Sequence, residues 1–106
     1  MLSPAPPTKP LSEVGLRQAV NRILDRGFIR EGFHSEEERA DRNISDDDIR
    51  YGLERKDWVL EKPPDWDGKH KNFEYLIRTV DVDQCELHLK IVIYPSENRL
   101  KIITKY

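Results

Sequence analysis

A single cysteine, Cys85, stands among the 106 residues, so the chain can form neither an internal disulfide nor a cysteine-built zinc site. Its setting among apolar residues predicts a buried thiol and a reducing, cytoplasmic location. No apolar run approaches the roughly 20 residues that a membrane-spanning helix needs, and no signal peptide is visible, so no membrane partner is expected. The formal charge is −2, which removes any global pull toward nucleic acid. There is no Gly-rich phosphate loop, no Ser/His/Asp signature and no internal repeat. Asp46, Asp47 and Asp48 are consecutive rather than spaced as EF-hand ligands, and the three histidines lie far apart. No metal motif follows from them, and no cofactor is expected.

What is present describes one domain with a modest core, since charged residues make up 36% and hydrophobic residues 37% of the chain. Residues 1–10 carry Pro4, Pro6, Pro7 and Pro10 and no long apolar centre. They read as a flexible tail ahead of a single domain over 11–106. The charge is uneven. Glu36, Glu37, Glu38, Asp41 and Asp46 to Asp48 crowd the middle, while Lys69, His70, Lys71, Arg78, His88, Lys90, Arg99, Lys101 and Lys105 dominate the second half.

Ser12 is an N-cap followed by Leu16, Ala19, Val20, Ile23 and Leu24 at helical spacing. Gly27 is read as the C′ residue of that helix. Phe28 to Phe33 is a short extended candidate or a connector, and His34 to Asn43 is at best a poorly anchored helix, with Ala40 its apolar residue. Ile44-Ser45-Asp46-Asp47-Asp48-Ile49 is a stronger start signal. Ser45 caps, the aspartates suit the positive helix end, and Ile44 can staple to Ile49. That helix should run to about Arg55, with Ile49 and Leu53 inward.

Trp58 to Leu60 reads as a short strand with Trp58 entering the core, and Pro63 to Asn72 as a polar loop. In that loop His70, between Lys69 and Lys71, is expected to be solvent-exposed. Strands follow over Phe73 to Val80, Cys85 to Tyr94 and Leu100 to Tyr106. Their short connections require antiparallel neighbours. Cys85, Leu87, Leu89, Ile91 and Ile93 should share one face, and Glu86, His88, Lys90 and Tyr94 the other. The fold class is α+β, with N-terminal helices packed on a mostly antiparallel sheet of three to four strands. Plain alternation places Lys101 and Lys105 on one face of the last strand, and Thr104 and Tyr106 on the other with Leu100 and Ile102. All four line one cleft only if the strand end twists or bulges.

In the stretch from about Leu16 onward, His34, Ala40 and Arg42-Asn43-Ile44-Ser45 in the helical part, with Asn72-Phe73-Glu74-Tyr75 and Ile103-Thr104-Lys105-Tyr106 in the sheet part, form a pattern that resembles the bacterial domain-of-unknown-function family 4258. That family is similar to the RelE/MqsR group of RNA-cleaving toxins. The resemblance implies a RelE-like fold, ribonuclease activity, RNA or the ribosome as target, and a cognate antitoxin protein as partner. The chain departs from the pattern at Glu38, where the family carries Arg.

Metal-independent RNA cleavage needs a base for the 2′-hydroxyl, an acid for the leaving oxygen and cations on the crowded phosphate. His34, Arg42, Thr104 and Tyr106 are the catalytic candidates, and Arg78, His88 and Lys101 the substrate-binding ones. Arg78 and His88, on neighbouring strands, form the more natural basic patch. Arg42 equally suits a salt bridge to Asp46 or Glu38, and Thr104 and Tyr106 equally suit sheet packing. The competing class is a non-catalytic adaptor that binds a protein partner through a sheet edge or exposed loop.

Overall fold

A computed structural model describes residues 7–31 and 43–106. Helix α1 spans Glu13–Arg26 and starts at Ser12, whose Oγ accepts the Gly15 amide at 3.1 Å. Its spacing buries Leu16, Ala19, Val20 and Ile23 on one stripe. Gly27 does not act as the left-handed C′ residue that the sequence suggests: its φ is −109°, in extended backbone. Glycine is required there by a close approach instead, because a Cβ would lie 2.0 Å from the Asn98 carbonyl oxygen.

Strand β1, Phe28–Glu31, follows at once. Helix α2, Asp46–Glu54, opens with a capping box in which Ser45 Oγ accepts the Asp48 amide and Asp48 accepts the Ser45 amide. These reciprocal bonds satisfy two donors that a helix start leaves unpaired. Ile44, Ile49 and Leu53 then enter the core. The helix lies close against the sheet: Thr79 Oγ1 donates to the Gly52 carbonyl at 2.8 Å.

The remaining strands are β2 (Val59–Leu60), β3 (Asp65–Asp67), β4 (Asn72–Val80), β5 (Glu86–Tyr94) and β6 (Arg99–Lys105). They form a six-stranded sheet in the order β1-β6-β5-β4-β2, with β3 also paired to β4. The expected three to four strands are therefore exceeded. The Phe28 segment pairs parallel to β6, and the polar loop before Asn72 holds β3. All other pairs are antiparallel, so the sheet is mixed. Trp58 does enter the core, at 2% exposure, with the Arg17 guanidinium 4.0 Å over its ring.

Leu87, Leu89, Ile91 and Ile93 of β5 form one core with α1, α2, Tyr75, Ile77, Leu100 and Ile102. Full burial of each large aliphatic side chain contributes about 1.5–3 kcal/mol. Cys85 is exposed rather than buried, because the strand begins one residue later. It belongs instead to a turn in which Asp81 Oδ1 accepts the amides of Asp83 and Cys85, both at 2.9 Å. No described helix is long and apolar enough to cross a membrane.

One irregularity decides which side chains of β6 share a face. Ile91 pairs with Ile102, but Lys90 pairs with Thr104, leaving Ile103 as an extra residue. This β-bulge reverses the alternation that plain period-two counting predicts. Lys105, opposite Leu89, turns to the helix side and is only 8% exposed. Its ammonium donates to both Glu31 carboxylate oxygens, at 2.8 and 3.0 Å, and to the Ile44 carbonyl at 3.1 Å. Lys101 and Lys105 thus do not share a face.

Candidate functional site on the far face of the sheet

The face turned away from α1 and α2 carries Glu74, Leu76 and Arg78 of β4, alternating with the core-facing Tyr75, Ile77 and Thr79. From β5 it receives Glu86, His88, Lys90, Val92 and Tyr94, and from β6 Arg99 and Lys101 before the bulge and Thr104 after it. Tyr106 joins them. Its amide donates to the His88 carbonyl at 3.0 Å, the His88 amide donates back at 2.7 Å, and the two rings stack at 4.7 Å with 9° between planes.

Five of the residues singled out by sequence therefore lie on one face: Arg78, His88, Lys101, Thr104 and Tyr106. Arg78 is directly opposite His88, and Thr104 is opposite Lys90. Lys101 lies further along, opposite Val92. His34 and Arg42 fall outside the described residues.

His88 has partners that sequence reasoning missed. Nδ1 is 3.1 Å from Glu61 Oε2 and Nε2 is 3.2 Å from Glu86 Oε2. Both bonds form together only when the ring carries two protons. Glu86 is the exposed partner, its side chain 64% accessible against 28% for Glu61, so it is the one a ligand could displace. Lys90 lies 3.7 Å from Glu74. Arg78 makes no ion pair among the described residues and is exposed.

A second cluster occupies the other end of the face. His70 is not the solvent-exposed loop residue expected: its side chain is 12% accessible and that of Asp67 14%. Asp67 Oδ2 contacts His70 Nδ1 at 2.7 Å, and Asp67 Oδ1 accepts the amides of Lys69 (2.9 Å) and His70 (3.2 Å). Lys101 Nζ lies 3.2 Å from His70 Nε2. Because β5 separates β4 from β6, this contact carries the β3–β4 turn across β5 near Val92, which is fully buried. Nearby, Arg99 packs 4.2 Å over the Tyr94 ring and reaches Glu97 at 3.2 Å. A signal for the first half of this cluster did exist, since Asp followed by Gly and two polar residues commonly folds back on its own amides.

Burial by itself pushes the Asp67 carboxyl up, but the His70 imidazole and the His70 and Lys69 amides together hold it below the usual carboxylate range. Burial pushes the Tyr94 phenol up, with Arg99 opposing and Glu97 and Asp67 adding to the rise. Among the described residues no group of three or more His, Cys, Asp or Glu side chains is placed to hold a metal ion.

No protein-family model, curated protein or solved structure matches the chain.

Proposed function

We propose that this chain is an RNA-binding protein of toxin type that takes a single RNA strand across the far face and cleaves it without a metal, its cognate partner being an antitoxin protein. The observation that carries the reading is the β6 bulge, which turns Thr104 and Tyr106 to the side that holds Arg78, His88, Lys90 and Lys101. Bulges recur beside functional sites because they re-aim side chains. On this reading Arg78, without an ion pair among the described residues, takes a phosphate. The stacked His88–Tyr106 pair offers an aromatic platform for a base, a contact worth about 1–3 kcal/mol per base in single-strand binders. The RelE-like identity implied by the resemblance to family 4258 is part of the same proposal.

A second reading is favoured by one observation. The cations of the far face are interleaved with Glu61, Glu74, Glu86 and Asp67. A mixed-charge surface of this kind suits a protein partner, and the chain would then be a non-catalytic adaptor.

Fluorescence anisotropy with a short single-stranded RNA separates the two. The RNA reading expects salt-sensitive binding that Arg78→Glu weakens at least tenfold, and cleavage that survives EDTA. Absence of binding by the wild-type protein gives the surface to the adaptor reading.

A further inference from the structure

The geometry points to His70 as the general base of the far face, with Asp67 as its positioning residue and Lys101 as the cation that meets the phosphate and protonates the leaving oxygen. This rests on the RNA reading above. It names the reacting group, a role for which His88 is poorly placed. Both His88 nitrogens face carboxylates, so a phosphodiester that approached the ring would have to displace Glu86 and still lie beside the less exposed Glu61.

The surroundings of His70 are the reverse. A carboxylate only accepts and an ammonium only donates, so the contacts to Asp67 and Lys101 define the ring as the Nδ1–H tautomer with its lone pair on Nε2. The carboxylate lies behind the ring, held by the Lys69 and His70 amides, and the cation lies in front of it. Arg30 of β1 is opposite Lys101 in register and makes no ion pair among the described residues, which adds a second positive group on the phosphate side. A base held by an orienting carboxylate beside a cation has the parts that proton transfer at a phosphodiester needs.

The step balances without a further reactant. When the Lys101 ammonium turns from His70 Nε2 to the bound phosphate, the freed Nε2 lone pair takes the 2′-hydroxyl proton as O2′ bonds to phosphorus. The P–O5′ bond breaks, and O5′ takes a proton from the Lys101 ammonium. The products are a 2′,3′-cyclic phosphate and a 5′-hydroxyl end. The imidazolium then returns its proton to the Lys101 amine across their 3.2 Å contact.

The test uses the full chain and a fluorophore- and quencher-labelled single-stranded RNA, with its all-deoxy counterpart as control. The wild type should cut the RNA, leave the deoxy strand intact and yield a cyclic phosphate end. His70→Gln should lose about 10²–10⁴-fold in kcat, the usual share of a general base, while still binding RNA. Asp67→Asn should lower kcat with KM held, as a positioning role requires, and it decides the matter should His70→Gln fail to fold. Cleavage by His70→Gln within a few-fold of wild type, or an unchanged kcat in Asp67→Asn, overturns this inference and leaves the RNA reading standing. A wild type that binds RNA but cuts nothing overturns it too, and one that does neither removes both.

Discussion

On the helix side of the sheet, Leu87, Leu89, Ile91 and Ile93 of β5 are at most 2% exposed and join one apolar core. On the far side of the same strand, Glu86, His88, Lys90 and Tyr94 sit among ion pairs and ring contacts that reach Glu61 just after β2, Glu74 of β4 and Arg99 of β6. One side is stabilised by removing apolar area from water, which is non-directional. The other is a layer of directional contacts between groups that water also solvates, so each contributes little to stability. Stability is therefore concentrated on the first face, and the second is free to be shaped by binding. Lys105 is the exception that tests this division, because the bulge places an ammonium on the apolar side.

Lys105→Ala should give the largest loss. Removing one partner of a buried pair leaves Glu31 and the Ile44 carbonyl without their donor, a cost of about 3–5 kcal/mol. Urea unfolding of Lys105→Ala measures it, and Lys105→Met combined with Glu31→Leu should recover most of the loss. A Lys105→Ala protein as stable as wild type would mean that the bulge, not the ion pair, holds the end of β6.

The next comparison sets two neighbours on β5 against each other. Leu89→Ala opens a cavity in the core and should cost about 2–5 kcal/mol. Lys90→Ala, one residue along and facing the other way, removes a partly exposed pair with Glu74 and should cost at most about 1 kcal/mol. Equal losses in the two variants would break the division between the faces.

The smallest effect is the acid response of Asp67. Its carboxyl is held below the ordinary value of 3.8 in the folded chain. In the window between the folded and unfolded values the unfolded chain binds more protons, so stability rises with pH there. The contribution is fully present above about pH 4–5 and is lost as pH falls through the folded value. Asp67→Asn should therefore flatten the acid limb of thermal stability against pH, and an unchanged limb would mean that other carboxylates govern it.

Much of the fold could be read without coordinates because its signals are local. The caps at Ser12 and Ser45 and the helical spacing of Leu16, Ala19, Val20 and Ile23 concern residues a few positions apart. The alternation of β5 and the short turns beside it are equally local, and together they require an antiparallel meander. The candidate site was legible in part. Arg78 and His88 were predicted to be neighbours because β4 and β5 are joined by a short turn, and register places them opposite one another.

The sequence by itself determined two amphipathic helices, a core face on β5 and antiparallel pairing of the last three strands, since periodicity and turn length act over a few residues. Tertiary structure decided the rest. The parallel pairing of β1 with β6 joins segments about seventy residues apart, and no local signal encodes such a partner. The bulge at Ile103 depends on how β6 fits β5, and one extra residue reversed the facing of Thr104, Lys105 and Tyr106. His70 looked like an ordinary loop residue because its neighbours in sequence are polar. It became a partly buried member of a carboxylate–imidazole–ammonium chain only when the β3–β4 turn crossed β5 to reach Lys101.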